Sequence, residues 1–303
     1  MMKINKTLAF IILFFLPEIF YAYTLYSEKA SIIGDTIFFF KNVDFKSDDY
    51  SLKTDSSFIL KKDSLIFFPK SFILERKDSV KIFAKYGVYF IKEKRFYINF
   101  QRTEKENRFS IESETLKIFL DDSLFIFTGK PCFDNVEEKL KIFGDRVEYL
   151  KNVERIYFKG NSFLQKYDFS YSIRSGNIVI DDKDSVNIFS NGVEIFNDSF
   201  TIKSDSVNYY RKEPFFKTLK RGDIVAKNSS FQGDTFFFYF ENDSLKRMVG
   251  KNNIVFKNED DNIVKIVCDS LDGSFKSSKV DILKFYKIKE SELVKKEKDE
   301  TEK

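Results

Sequence analysis

Charged and turn-forming residues recur every 28 to 32 positions along the series Asp35, Asp63, Lys94, Asp122, Glu154, Asp184, Glu213 and Asp243, which Lys279 closes. A second series of similar period runs through Asp49, Asp78, Glu106, Asn135, Asp168, Asp198, Asn228 and Glu259. Two more lie between them: Asp55, Lys85, Ser113, Asp145, Ser175, Asp205, Asp234 and Asp269, then Asn42, Ser71, Gly129, Gly160, Gly192, Gly222 and Gly250. Four interleaved series of one period mean internal repetition. A repeat of about 30 residues is one supersecondary unit that buries its apolar face only by stacking on its neighbours, and this chain holds about eight of them.

The segment from Asn191 to Pro214 shows what each copy builds. Val193, Ile195, Phe200, Ile202, Val207 and Tyr209 alternate with polar residues, the period of a strand with one buried face. Asn197-Asp198 and Glu213-Pro214 are turn material, whereas Gly192 and Ser204-Asp205 interrupt the alternation and act as corners. Each unit is expected to supply two antiparallel strands of about 14 residues, bent so that each passes from one sheet to a second sheet about 10 Å away. The expected fold is all-β, a twisted two-sheet jelly-roll of about sixteen strands. Composition agrees: 38 Phe and 15 Tyr with no Trp and four Pro suit half-buried strands better than helices.

The run Gly192-Val193-Glu194-Ile195, followed by Phe200-Thr201-Ile202-Lys203-Ser204-Asp205-Ser206-Val207-Asn208-Tyr209, resembles the repeat grammar Gly-x-Val-x-Ile … Ile-x-Ala-Asp-x-Val-x-Tyr. That grammar belongs to the periplasmic lipopolysaccharide-transport family, the OstA-like or organic-solvent-tolerance-like proteins that include LptA, LptC and the N-terminal domain of LptD. Weaker copies are Asp145-Arg146-Val147-Glu148-Tyr149, and Asp243-Ser244-Leu245 leading to Gly250-Lys251-Asn252-Asn253-Ile254. The resemblance spans residues 30 to 285. It departs from the pattern between Asp78 and Ser113, where the corner glycine is missing, and between Asp234 and Asp269, where residues 258–262 read as an insertion.

The resemblance implies a β-taco that bridges the periplasm without catalysis, holds the acyl chains of lipopolysaccharide between its sheets, and passes the lipid toward the outer membrane. It implies as partners lipopolysaccharide or another lipid, other jelly-roll proteins of the bridge, and further copies of the chain joined head to tail through edge strands. The physics suits that use, because acyl chains are held by apolar burial at roughly 0.8 kcal/mol per CH₂ and need no reactive constellation. The inner-face residues expected to bind lipid are Val43, Phe45, Leu52, Ile142, Val147, Tyr149, Ile156, Phe158, Val193, Ile195, Phe200, Ile202, Val207, Tyr209, Val225, Phe236, Phe238, Ile254, Phe256, Ile266 and Leu271. Two other readings stay open: a structural or surface repeat protein with a closed core that assembles through its edges, and a membrane-anchored, LptC-like partner of a transporter.

Residues 1–22 carry Lys3 and Lys6, then the apolar run Thr7 to Leu16 closed by Pro17 and Glu18. They read as a secretory signal peptide ending at Ala22, and so as export to the periplasm; a spanning helix needs about 20 apolar residues. The repeat domain is then 23–285, and the charged segment 286–303 is expected to be a disordered tail. A formal charge of +4, from 51 basic and 47 acidic side chains, is too mild for a nucleic-acid binder.

The chain has no His, which removes His-dependent bases, triads and metal sites, and no catalytic residue, metal or cofactor is expected. Asp is followed by Ser nine times, but both residues bond to nearby backbone in turns, so the pairs read as structural. Cys132 occupies the place of Ile195 in its own unit, and Cys268 precedes the Asp269 corner. About four units separate them, too far for the roughly 7 Å that a disulfide within one chain requires. Lys203, Arg211, Lys220 and Arg221 suit either contact with lipid phosphates or protection of edges against aggregation.

Overall fold

The computed structural model describes residues 2–4, 24–46, 50–76, 80–105, 109–168, 170–197, 199–241, 244–259, 262–276 and 279–295. The landmarks Asp49, Asp78, Glu106, Asp198 and Asp243 lie outside the described residues, as does the expected signal peptide apart from Met2–Ile4. The chain falls into two units, Met1–Val153 and Glu154–Lys303.

The first unit contains β1 (Met2–Ile4), β2 (Thr24–Tyr26), β3 (Lys29–Ile33), β4 (Thr36–Lys46), β5 (Tyr50–Leu60), β6 (Leu65–Phe68), β7 (Phe72–Arg76) and β8 (Val80–Phe90). It continues through β9 (Arg95–Lys105), β10 (Phe109–Glu112), β11 (Thr115–Phe119), β12 (Leu124–Thr128), β13 (Cys132–Asn135), β14 (Leu140–Phe143) and β15 (Arg146–Leu150). The second unit contains β16 (Arg155–Lys166), β17 (Ser172–Asp181), β18 (Val186–Phe196), β19 (Phe200–Tyr210) and β20 (Phe215–Ala226). It ends with β21 (Ser229–Gly233), β22 (Thr235–Glu241), β23 (Ser244–Glu259), β24 (Asn262–Lys276) and β25 (Lys279–Lys295).

Neighbouring strands pair antiparallel, and the pairing register breaks at mid-strand. In β4 it shifts between Phe40 and Val43, and in β18 between Ser190 and Val193. The residues at these breaks take left-handed backbone: Lys41-Asn42, Gly160-Asn161, Asn191-Gly192 and Asn252-Asn253. Two such residues in succession turn the strand out of its pleat, and Gly and Asn tolerate that conformation best. Elsewhere the corner is a full break, which leaves β6 and β7 as the two halves of one course.

Each unit therefore has two limbs. In the first unit limb A contains β3, residues 36–40, 56–60 and 95–99, β6, β11, β12 and β15. Limb B contains β2, residues 43–46, 51–54 and 102–105, β7, β10, β13 and β14. In the second unit limb A contains residues 155–159, 177–181, 186–190, 206–210, 215–217, 235–241, 244–251, 270–276 and 279–286. Its limb B contains residues 162–165, 172–174, 193–196, 200–204, 222–226, 229–232, 254–259 and 262–268.

Two hydrogen-bond motifs repeat with the sequence period. At the corners a side chain donates to the carbonyl two residues on: Ser27 to Lys29, Ser113 to Thr115, Ser175 to Asn177, Ser204 to Ser206, and Cys268 to Ser270 in the same manner. At the free end of limb A the turns hold one another. Ile91 N–H donates to Ser64 C=O, Leu120 to Lys94, Lys151 to Ser123, Asp182 to Glu154 and Arg211 to Ser185, all at 3.0–3.1 Å. The accepting residue is left-handed each time, so one conformation is used turn after turn.

The interior is apolar and rich in Phe. Phe45 of limb B meets Phe68 of limb A edge-on at 5.5 Å in the first unit, while Tyr171–Phe216 and Phe256–Phe285 join the limbs of the second. Near the corner of the second unit, Phe236 is fully buried among three glycines. A Cβ added at Gly222 would lie 2.7 Å from its ring, and one at Gly250 2.9 Å, so the missing side chains are the room the ring occupies.

The sequence reading of an all-β antiparallel chain holds, with corrections. The described residues form twenty-five strand segments, since corners break several courses in two, and β4, β5, β8 and β9 are 11 residues long. The strands do not separate into two independent sheets. Each long strand serves both limbs, and the pairing closes rings such as β5–β6–β8–β7 with other strands outside. Gly222 and Gly250 are not left-handed corners; that conformation falls to Lys220 and to Asn252-Asn253. Residues 286–295 are not a disordered tail, because β25 pairs with β24 from Lys279 to Lys295. Of the expected insertion at 258–262, residues 260 and 261 lie outside the described residues, while β23 runs to Glu259 and β24 begins at Asn262.

Candidate apolar groove

Alternation places seventeen of the twenty-one expected inner-face residues in the buried core: Val43, Phe45, Leu52, Ile142, Val147, Ile156, Phe158, Val193, Ile195, Phe200, Ile202, Val207, Phe236, Phe238, Ile254, Phe256 and Leu271. Tyr149, Tyr209 and Ile266 are half-buried, with Tyr209 stacked on Phe216 at 4.6 Å. Val225 is a correction. It is 54% exposed and faces outward, and its neighbour Ile224 takes the inner position. The corner of β20 is Lys220-Arg221, so Gly222 is the first residue after it and corresponds to Val193 rather than to Gly192; that slip of one residue moves Val225 to the outer face.

Apolar space lies between the limbs of each unit, and the first unit also has two open clefts at its corners, of about 600 Å³ beside Val43, Thr54 and Phe72 and of about 670 Å³ beside Phe100, Gln101 and Ser113. In the first unit the cavity between Phe45, Tyr50, Leu52 and Leu74 on limb B and Ile66, Phe68, Tyr89 and Phe96 on limb A has a volume of about 30 Å³. That is the share of a single water molecule in the liquid. In the second unit a half-open groove of about 610 Å³ lies between the limbs near their free ends. Phe200, Ile224, Ala226 and Phe231 line it from limb B, and Phe238, Leu245, Met248, Phe275 and Val280 from limb A. Lys227 is the charged side chain at its rim.

Of the residues expected to bind lipid, Phe200 and Phe238 line this groove, and Phe45 and Leu52 line the small cavity. The others are core, apart from the half-buried Tyr149, Tyr209 and Ile266 and the outward Val225. Phe231, Leu245, Met248, Phe275 and Val280 were not among the expected residues, although Phe231 and Met248 carry the same buried-face signal. The four rim cations are otherwise engaged or placed: Lys203 pairs with Glu194, Arg211 with Asp182 and Arg221 with Asp223, while Lys220 is a corner residue.

Two carboxylates of limb A in the second unit are held in place rather than poised for reaction. Asp181, 3% exposed, accepts from the backbone N–H of Asp184 and from Arg155 at 2.6 Å, and these bonds keep its carboxyl below the usual range against the effect of burial. Arg247 donates twice to Asp272, with the same effect on that carboxyl. Both cysteines are thiols, Cys268 buried and Cys132 partly so, and burial raises the pKa of each. Among the described residues no cluster of three or more His, Cys, Asp or Glu is arranged to hold a metal ion.

These features define an all-β repeat chain with an apolar groove between the limbs of its second unit. No family model matches the chain, and no curated protein does. Among solved structures it is similar to the crystal structure of LptH, the LptA-homologous periplasmic component of the lipopolysaccharide transport device of Pseudomonas aeruginosa. Identity is 10% and the TM-score 0.35, over 39% of this chain and 94% of that one.

Proposed function

We propose that this chain is a periplasmic lipid-binding bridge or carrier of the lipopolysaccharide-transport kind, a twisted jelly-roll that holds acyl chains between its limbs and catalyses no reaction. The observation that carries this reading is the half-open groove of about 610 Å³, mainly apolar on both walls, with Ser199, Lys227, Asn228 and Ser229 as its polar lining. Both walls take up apolar surface, so each buried CH₂ of a chain contributes roughly 0.8 kcal/mol. Lys227 is available to a lipid phosphate without entering the groove. Bridge partners would meet the chain at its edges, where β25 presents an outer side that pairs with no described strand.

The test is native mass spectrometry with lipid extraction on mature protein purified from its own envelope. Ala226→Trp fills the groove and Val280→Asp charges its exposed lip, and both leave the fully buried core intact. Co-purifying lipopolysaccharide or phospholipid that is lost in both variants supports the carrier. A lipid-free protein that also takes up no added lipid refutes it. The small size of the cavity between the limbs of the first unit favours the second reading in that event, a structural protein assembling through its edges.

A further inference from the structure

We propose that the outer face of limb A in the second unit docks on the surface of an anionic lipid bilayer. This face carries a continuous row of half-exposed rings. Tyr210 stacks on Phe215 at 4.6 Å, and Phe215 meets Tyr239 at 5.6 Å and Phe237 at 6.3 Å. Cations sit over the same rings: Lys217 and Lys251 over Phe237 at 5.6 and 5.3 Å, and Arg247 over Tyr239 at 5.9 Å. Arg247 is neutralised by Asp272. Lys217 and Lys251 have no ion pair among the described residues.

The opposite limb shows that this is not how every surface of the protein looks. On the outer face of limb B, Arg174 also lies over rings, those of Phe163 and Phe196, but it shares Glu194 with Lys203, and Lys265 pairs with Glu290, so these cations have carboxylate partners that Lys217 and Lys251 lack among the described residues. The first unit repeats the contrast. Its limb A stacks Phe58 on Phe67 at 5.1 Å and sets Lys117 over Tyr97, while its limb B pairs Lys81 with Glu75 and Lys141 with Asp134.

Tyr210 and Tyr239, apolar rings that end in a hydroxyl, and ammonium groups on apolar stems belong at the headgroup level of a membrane, with Phe215 and Phe237 adding apolar surface between them. A second copy is a poorer occupant, because placing this face on its own twin sets Lys217 and Lys251 against like charges. Anionic headgroups complement them. The inference does not rest on lipid occupying the groove.

The experiment is flotation of the full chain with vesicles of phosphatidylglycerol and phosphatidylcholine, compared with phosphatidylcholine alone. Wild type should float with the anionic vesicles and detach as salt rises. Each lysine at an anionic surface is worth roughly fivefold in partition, so Lys217→Gln with Lys251→Gln should weaken binding about 25-fold. Lys203→Gln with Lys257→Gln, on the other limb, should leave it unchanged. Ala226→Trp should also float, which separates docking from uptake into the groove. Circular dichroism confirms that each variant is folded. Failure of wild type to bind, equal loss in the limb B variant, or indifference to Lys217 and Lys251 overturns the proposal. So does a self-association that the limb A variant abolishes while vesicle binding is absent.

Discussion

Gly222→Ala and Phe236→Ala, made singly and together, test whether the corner of the second unit is built around one ring. Phe236 is fully buried, and its backbone N–H donates to Thr218 Oγ1 at 2.8 Å, a bond that survives truncation of the side chain. Truncation should cost about 4 kcal/mol, the range for a buried Phe whose surroundings relax little, because the flanking glycines have no side chains to fall into the void. Gly222→Ala should cost about 1–3 kcal/mol, since its Cβ would meet the ring at 2.7 Å and the ring is enclosed. In the double variant the clash with the ring has no partner, and only Thr218 Oγ1 at 3.1 Å stays close to the added Cβ. The destabilisation of that variant should therefore fall short of the sum of the single effects by about 1–3 kcal/mol. Urea denaturation followed by circular dichroism and tyrosine fluorescence measures this in a chain without Trp. Additivity within about 0.5 kcal/mol would refute the account of why glycine stands at 222.

Three further outcomes are expected. Gly192→Ala should destabilise by about 1–2 kcal/mol by backbone strain alone, because φ is +77° and no atom lies within 4 Å of the added Cβ; urea midpoints check it. Asp181 and Asp272 have folded pKa values below their unfolded ones, so the unfolded chain binds protons more readily as acid is added. Their contribution is whole above the unfolded value of about 3.9 and is lost as pH falls through the lower folded values; Asp272→Asn should flatten the fall of Tm with acid. Cys268 should resist iodoacetamide at neutral pH until denaturant opens the core, and Cys268→Ser should stay folded, because a hydroxyl can keep the bond to Ser270 C=O that Ser204 and Ser175 make at their own corners.

What the sequence showed of this architecture follows the range of the interactions involved. Alternation is local, so Val193, Ile195, Ile202 and Val207 could be placed on the buried face from their own segment. Glycine marks a left-handed corner at Gly129, Gly160 and Gly192, but Lys220 and Asn252-Asn253 adopt the same conformation with no such mark. The phase error at Val225 follows from that. The strand 279–295 was hidden because Ile282 and Leu283, and Phe285 and Tyr286, are adjacent apolar residues on opposite faces of an exposed edge, with a bulge at Lys287. The groove itself is least legible, since its lining brings together Phe200, Phe238 and Val280, which lie about 40 positions apart in succession along the chain.

The turn ladder at the free ends of limb A imposes a parity on the chain's evolution. Successive strands run in opposite directions, and turns at the ends of the two limbs alternate. Deleting one strand would reverse the course of its successors, so that segments written for limb A would be delivered to limb B, with their ring-bearing face on the wrong side. Deleting or duplicating two strands leaves every later segment in its own limb and lets the next turn find an identical acceptor. Lineages of such chains should therefore differ in length by pairs of strands, in steps of about 30 residues, while odd changes are confined to the ends.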